Sequence, residues 1–212
     1  MSRYAEVIPG MCDDDKLHAL LEVARRAVEG DIVEIGSWWG KSAFIFCWLA
    51  RYFGIGKLLC VDPWTNIHLI QGDKTVDSGS ALVDAEEALQ VFQIGLLPFN
   101  ACHINYLRMT SVEGAGHYAG SRSVSSKAFG KTEYAGAIAI LHIDGNHTYA
   151  AVKVDIESWQ PFMRAGGWII FDDYVWPFGD GPQRAGDEFL EGGRCGIATA
   201  FVMGTALFVQ LS

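Results

Sequence analysis

The sequence predicts an α/β fold: a single doubly wound domain with a mostly parallel seven-stranded sheet, helices on both faces and a C-terminal antiparallel hairpin. Short apolar runs rich in β-branched residues alternate with stretches of helical periodicity, which is typical of βαβ units. Several of these runs end in an acidic residue, as at Asp62 and Asp144. The last two runs are separated only by Gly204-Thr205, which predicts a tight antiparallel turn.

The predicted elements follow the alternation along the chain. A helical leader over residues 1–30 carries leucines at helical spacing behind three aspartates that suit a helix N-terminus. Strands are predicted in the runs DIVEIG, KLLCVD, ACHINYL, AIAILHID, WIIFDD, GIATAFVM and ALFVQL. Helices are predicted over residues 41–52, 81–96 and 148–163, with a shorter one around residues 187–190. Gly166-Gly167 is expected to end the third of them.

Two polar, glycine-containing segments, 65–80 and 114–134, are predicted to be loops. Loops at the carboxyl ends of strands carry specificity, so we expect both to lie over the mouth of a crevice, as lids or substrate loops. No linker or internal repeat divides the chain, so residues 1–212 are predicted to form one domain.

The composition excludes several classes of partner. The chain of 212 residues has 16 basic and 25 acidic side chains, a net charge of −9, and no basic cluster. This balance argues against binding to nucleic acid or to an anionic membrane. The apolar run over residues 43–50 is too short to span a bilayer. The five cysteines are widely spaced, which is typical of unpaired thiols, and the polar N-terminus favours a cytoplasmic location.

The first motif is a strand, a glycine-containing turn, a helix and a second strand that ends in an acid. Glycines allow a ligand to approach the backbone, and an acid after the second strand can accept from ribose hydroxyls. The E-x-G-x-x-x-G spacing differs from the dinucleotide fingerprint. An alternative is that the glycines only form a turn and the acid is a surface residue. The candidate residues are Glu34, Gly36, Ser37, Gly40 and Asp62.

Acidic residues also end two later strands of the predicted sheet. Asp144 ends one, and Asp172 and Asp173 end the next. If these strands are neighbours, the acids meet at one edge of the sheet and favour a hard cation, Mg²⁺ first and Mn²⁺ or Ca²⁺ next. An alternative is that one acid caps a helix and another pairs with a base such as Arg164.

His147 lies three residues after Asp144 and is a candidate general base. Its imidazole has an unperturbed pKa suited to proton transfer near neutral pH. A structural role is the alternative for a single histidine. His142, inside a predicted strand, is expected to be packed or hydrogen-bonded.

The glycine motif VEIGSWWGKSA and the run LLCVDPW resemble the first two motifs of class I S-adenosylmethionine-dependent methyltransferases. The resemblance implies that Gly36 and its neighbours contact the methionine end of the cofactor and that Asp62 contacts the ribose. It also implies that Ser111 lies near the adenine. The terminal hairpin is similar to the antiparallel edge of that fold.

The 33-residue segment from His142 to Tyr174 resembles a narrower branch, the metal-dependent small-molecule O-methyltransferases. This branch includes macrolide-sugar and aminocoumarin-sugar enzymes and cephalosporin-hydroxylase-like proteins. The resemblance implies that Asp144, Asp172 and Asp173 bind Mg²⁺. Some members use an aspartate as the base at the position of Asn146; an asparagine cannot do so, which either selects His147 or indicates lost activity.

The resemblance therefore implies S-adenosylmethionine-dependent O-methylation of a small hydroxylated acceptor, and the charge balance predicts no nucleic-acid or membrane partner. Related proteins commonly assemble, so homo-oligomers are compatible with it. Two other functions stay open: a catalytically inactive binding or assembly protein with the same fold, and a nicotinamide oxidoreductase, which the glycine spacing and the acids disfavour.

Overall fold

A computed structural model describes residues 2–100, 103–192 and 196–212. Its main sheet has seven strands in the order β3-β2-β1-β6-β7-β9-β8, and β4 and β5 form a separate two-stranded hairpin. The strands are β1 Asp31–Ile35, β2 Leu58–Val61, β3 Ile104–Leu107, β4 Ser123–Ser126, β5 Gly130–Glu133, β6 Ile138–Ile143, β7 Met163–Phe171, β8 Ile197–Met203 and β9 Ala206–Leu211.

The first five strands of the sheet run parallel, and only the terminal hairpin is antiparallel. The predicted fold class is therefore confirmed. The order changes direction at β1, where β2 lies on one side and β6 on the other. In such a sheet the crevice at the carboxyl ends of the two central strands is the usual ligand site.

Helices cover both faces of this sheet. The helices are α1 Ser2–Ala5, α2 Asp14–Arg26, α3 Lys41–Phe53, α4 Lys74–Ser80, α5 Ala85–Leu96, α6 Ser111–Gly120, α7 Tyr149–Trp159 and α8 Gly181–Glu191. One apolar core lies between the sheet and α2, α3 and α5, and a second lies between the sheet and α6, α7 and α8. The buried strands β1, β2 and β6 contribute to both cores, as expected for a sheet covered on both sides.

The prediction of a loop over residues 114–134 is wrong. Its first part belongs to α6, which starts with a capping box between Thr110 and Glu113. The rest is the β4–β5 hairpin, which is held to the amino end of β3 by the side chain of Asn105. The Tyr134 hydroxyl donates to the carbonyl of Leu58 at the start of β2. The hairpin therefore lies at the amino ends of these strands and not over the mouth of the crevice.

Smaller differences concern element ends. The segment 65–80 contains a short 3-10 helix, Asn66–Leu69, and α4. The helix predicted to run to residue 163 ends at Trp159, followed by a 3-10 turn with Pro161. Gly166-Gly167 therefore lie inside β7, where Gly166 has a φ of 75°.

Three cysteines of the described ranges, Cys12, Cys47 and Cys60, are free thiols, in agreement with the sequence. Cys102, Cys195 and the first two residues of the predicted ACHINYL strand lie outside the described residues. Among the residues described, no helix has the length and apolar character needed to cross a bilayer.

Candidate active site

The turn after β1 brings the glycine motif against the end of β6. Gly36 has a φ of 80°, and a Cβ at this position would lie 2.1 Å from the carbonyl oxygen of Asp144. Its amide donates to the carbonyl of Val61, so the turn is also tied to the end of β2. Only glycine fits such a close contact between two backbones. The turn is therefore fixed where the three central strands end.

Asp62 follows β2 and organises the loops around it. Its two carboxylate oxygens accept from the backbone amides of Trp38, at 2.9 Å, and Trp64, at 2.6 Å. The indole of Trp64 in turn donates to the carbonyl of Trp38 at 2.9 Å. Burial raises the pKa of Asp62, although these amides oppose the rise. Each carboxylate oxygen keeps a lone pair that a ligand hydroxyl can use.

Strained backbone is concentrated at this crevice. Among the described non-glycine residues, Trp38, Trp64 and Asp173 have positive φ values of 42°, 45° and 50°. All three line the same cavity. Left-handed backbone at bulky residues persists only where the surrounding structure enforces it, and such residues cluster at functional sites.

The cavity has a volume of about 850 Å³ and lies along the carboxyl ends of β1, β2, β6 and β7. This volume suits a drug-sized or nucleotide-sized ligand. The sequence-predicted residues that line it are Gly36, Ser37, Gly40, Asp62, Ser111, Asp144, His147, Asp172 and Asp173. Glu34 is the exception: its side chain is fully buried in the sheet. It accepts from the hydroxyl of Ser37 at 2.6 Å and so supports the turn from below.

Ser111 is at the start of α6, and its hydroxyl accepts from the indole of Trp159 at 3.0 Å. The neighbouring Asp155 on α7 is a buried acid that the sequence did not single out. Burial raises the pKa of Asp155 to about 6, and the nearby Ser111 hydroxyl opposes the rise.

Two of the predicted metal acids and the predicted base converge in the crevice. The Nε2 atom of His147 lies 3.7 Å from Oδ1 of Asp144 and 3.5 Å from Oδ2 of Asp173. When one ligand atom is taken from each of these three residues, the three atoms all lie within 4.8 Å of one another. Both ring nitrogens of His147 are buried and have no hydrogen-bond partner among the described residues. Buried polar atoms are normally satisfied, so this arrangement indicates a place for a ligand or ion.

The electrostatics of this group agree with that interpretation. Burial raises the pKa of Asp144 to about 7, and the charge of Asp172 adds to the rise. Burial and Asp172 likewise raise the pKa of Asp173. Burial lowers the pKa of His147, but the nearby Asp144 carboxylate outweighs this effect and the net shift is upward. A bound cation would relieve the repulsion between the carboxylates.

Asp172 has a different environment, which the sequence did not reveal. The ammonium group of Lys16, from α2, donates to Asp172 Oδ2, and both side chains are buried. His142 Nε2 lies 3.2 Å from the same carboxylate oxygen, and its Nδ1 lies 3.2 Å from Glu34. Burial lowers the pKa of His142, but its contacts with Asp172 and Glu34 raise it to about 9. The result is a buried chain of alternating charge: Glu34, His142, Asp172 and Lys16.

Arg164, the base suggested as an alternative partner for the acids, donates instead to the carbonyl of Glu29 at 2.6 Å. Asn146 is also engaged elsewhere. Its amide group donates to the carbonyls of His68, at 3.1 Å, and Ile70, at 2.8 Å. It therefore fastens the 65–80 segment to the crevice, and this segment contributes several lining residues.

The family is decided by a match over the core of this site. Residues 33–174 match the family described as Methyltransferase domain, which is more than half of the chain. The chain belongs to this methyltransferase family. The matched range runs from β1 to the residue after Asp173, so it contains the glycine turn, Asp62 and the converging acids. The prediction of a methyltransferase is thus confirmed, and the oxidoreductase alternative loses its support.

Solved structures show the same fold at low sequence identity. The O-methyltransferase NovP aligns with a TM-score of 0.63 and 15% identity over 92% of this chain and 78% of its own. The Bacillus cereus O-methyltransferase solved with SAH aligns with a TM-score of 0.60 and 14% identity, over 100% of this chain and 87% of its own. The mycinamycin-pathway methyltransferase MycE, solved with Mg, SAH and mycinamycin VI, aligns at 0.57 and 18%, over 100% of this chain but 53% of its own. None of the curated proteins matches the chain.

Proposed function

We propose that this protein transfers a methyl group from S-adenosylmethionine to a hydroxyl group of a small molecule, assisted by a divalent cation. One observation carries the proposal. Within a single cavity, His147 and two carboxylates meet beside the glycine turn and Asp62. Groups suited to hold a cofactor and groups suited to activate a hydroxyl therefore face the same space.

The residues at the glycine turn fit the cofactor. Gly36, Ser37 and Gly40 line the cavity, where they are proposed to contact the methionine part. Asp62 has lone pairs available for the ribose hydroxyls. Ser111 is proposed to lie at the adenine. Glu34, which is buried behind Ser37, acts by positioning that residue.

The acids fit a hard divalent ion, which we propose to be Mg²⁺, with Mn²⁺ or Ca²⁺ as substitutes. Asp144 and Asp173 would hold it, because their carboxylates border the cavity and lie 3.5–3.7 Å from the unsatisfied Nε2 atom of His147. Asp172, the third predicted ligand, also lines the cavity, but its oxygens already accept from protein donors.

When bound, S-adenosylmethionine supplies an activated methyl group, and a divalent ion lowers the pKa of a hydroxyl that it binds. The chain itself orients the acceptor and receives its proton. His147 is the proposed proton acceptor. The ring of Trp176 packs edge-on against its imidazole, with 4.7 Å between the ring centroids, and this contact fixes the imidazole. Asn146 holds the 65–80 segment and takes no part in proton transfer. The asparagine is thus compatible with activity.

The acceptor is proposed to be a small hydroxylated molecule, such as a sugar or a natural product. Apolar side chains line the cavity: Trp176, which packs on His147, together with Phe178, and Ile67 and Ile70 from the proposed lid segment 65–80. Apolar walls with a few polar groups are typical of sites for small organic ligands.

Two measurements test the proposal. Calorimetry with S-adenosylhomocysteine is expected to show binding, and incubation with S-adenosylmethionine, Mg²⁺ and a panel of sugars and phenols is expected to release S-adenosylhomocysteine. Chelation by EDTA should stop the release and added Mg²⁺ should restore it. Failure to bind S-adenosylhomocysteine would refute the proposal. Binding without transfer to any acceptor would instead support an inactive binding protein.

A further inference from the structure

Lys16 brings a positive charge from outside the sheet into the candidate metal centre. It lies in the first turn of α2, 156 residues before Asp172, and its side chain is only 2% exposed. An ammonium group so deeply buried requires a matching anion, since desolvation of an unpaired charge is costly. Its partner is Asp172, whose side chain is 4% exposed.

The oxygens of Asp172 are used by donors of the chain. Oδ2 accepts from Lys16 and faces Nε2 of His142 at 3.2 Å. Oδ1 accepts from the backbone amide of Asp173 at 3.0 Å. A metal ion at Oδ2 would have to displace Lys16 or share its oxygen, and a metal ion at Oδ1 would meet a carboxylate whose charge Lys16 already neutralises.

The other two acids differ in these respects. The side chains of Asp144 and Asp173 are 23% and 14% exposed to the cavity. The Nε2 atom of His147 lies 3.5–3.7 Å from these carboxylates, which is beyond a normal hydrogen bond. The carboxylates of Asp144 and Asp173 therefore accept no hydrogen bond of normal length from His147, whereas Asp172 is neutralised by a lysine.

We propose that Lys16 is a built-in cation that removes Asp172 from the metal ligands, so that a divalent ion in this crevice is held by Asp144 and Asp173. The inference rests on the proposed metal-assisted transfer. It adds that Asp172, which the sequence predicts as a metal ligand, forms an internal ion pair with Lys16 instead. Lys16 acts through Asp172 and is a positioning residue.

The test is Mn²⁺ binding by the full chain, measured by calorimetry and by the loss of the free-ion electron paramagnetic resonance signal. Lys16→Met keeps most of the apolar stem and removes the charge, so Asp172 keeps its contact with His142 but loses the lysine that neutralises it. We expect this variant to bind Mn²⁺ at least about tenfold more tightly than the wild type. Lys16→Met combined with Asp172→Asn removes the pair without changing the net charge, and we expect its affinity to stay within about threefold of the wild type.

Asp144→Asn is expected to weaken Mn²⁺ binding by about tenfold or more, with or without Lys16. Lys41→Met is the matched control. This lysine also lines the cavity, but its ammonium group donates to the carbonyl of Gly10 at 3.0 Å, so its removal should leave Mn²⁺ affinity unchanged. Thermal unfolding of every variant checks that the fold is kept, and the charge-balanced double variant tests the inference even if Lys16→Met alone does not fold.

The inference is overturned if the double variant loses about tenfold or more in affinity, because Asp172 would then be a ligand. It is also overturned if Lys16→Met folds and binds Mn²⁺ no better than the wild type. If only Lys16→Met binds Mn²⁺, Asp144 and Asp173 do not hold the ion in the wild type, so this part of the inference and the metal part of the proposed function are both overturned. Calorimetry with S-adenosylhomocysteine on the same samples measures cofactor binding and so tests the methyl-transfer proposal separately.

Discussion

Replacing Gly36 by alanine places a methyl group where the turn after β1 meets the end of β6. The new Cβ would lie 2.1 Å from the carbonyl oxygen of Asp144 and 2.5 Å from its carbonyl carbon. Ordinary carbon contacts are about 3.5 Å, so the two backbones must separate by about 1.4 Å. Because Asp144 is one of the proposed metal ligands, this movement disturbs both halves of the site.

The free-energy cost can be divided with a matched control. Gly54 ends α3 with a φ of 70°, close to the 80° of Gly36, but a Cβ at Gly54 meets no atom within 4 Å. Left-handed backbone costs an alanine about 1–2 kcal/mol, and this term is common to both sites. Overpacking adds about 1–3 kcal/mol at Gly36 only. We therefore expect Gly36→Ala to lower the free energy of unfolding by about 2–5 kcal/mol and Gly54→Ala by about 1–2 kcal/mol.

Urea denaturation of the two variants measures these losses, and calorimetry with S-adenosylhomocysteine measures the effect on the site. Gly36→Ala should weaken S-adenosylhomocysteine binding by about tenfold or more, whereas Gly54→Ala should bind like the wild type. Equal losses of stability at the two positions, with cofactor affinity intact in both, would show that the contact between the β1 turn and Asp144 is not a constraint.

Three further predictions concern single side chains. Asp62→Asn should weaken S-adenosylhomocysteine binding by about 1.5–3 kcal/mol in calorimetry, because hydrogen bonds to a charged acceptor are lost; unchanged affinity would exclude the ribose contact. His147→Ala should lower the rate of methyl transfer by about 10²–10⁴-fold with little change in cofactor affinity, and an undiminished rate would exclude His147 as the base. Burial raises the pKa of Asp155 to about 6, so in the native state this carboxyl keeps its proton to a higher pH than in the unfolded chain. The free energy of unfolding should therefore fall as the pH rises from about 4 to 6. Asp155→Asn should remove up to about 3 kcal/mol of that fall in urea titrations, and parallel pH profiles of variant and wild type would contradict the assignment.

Much of the fold could be predicted because strands and helices of this type have characteristic hydrophobic patterns in the local sequence. The runs that became β1, β2, β6 and β7 are apolar and short, and the acids that follow them end up at the same edge of the sheet because the strands are parallel. The segment over residues 111–120 was harder to predict. It contains glycines at three positions, which lower helix propensity, and it is a helix because its capping box and its packing on the sheet outweigh them.

The sequence by itself determined the α/β architecture, the glycine turn, and the positions of Asp62, Asp144 and Asp173 at the carboxyl ends of strands, because the periodicity that marks strands and helices follows from neighbouring residues. Only the tertiary structure decided the environment of Asp172. Its partners Lys16 and His142 come from a helix near the N-terminus and from an adjacent strand, and no local pattern links them. Burial made that pairing necessary: once these charges are removed from water, each requires an opposite charge in contact.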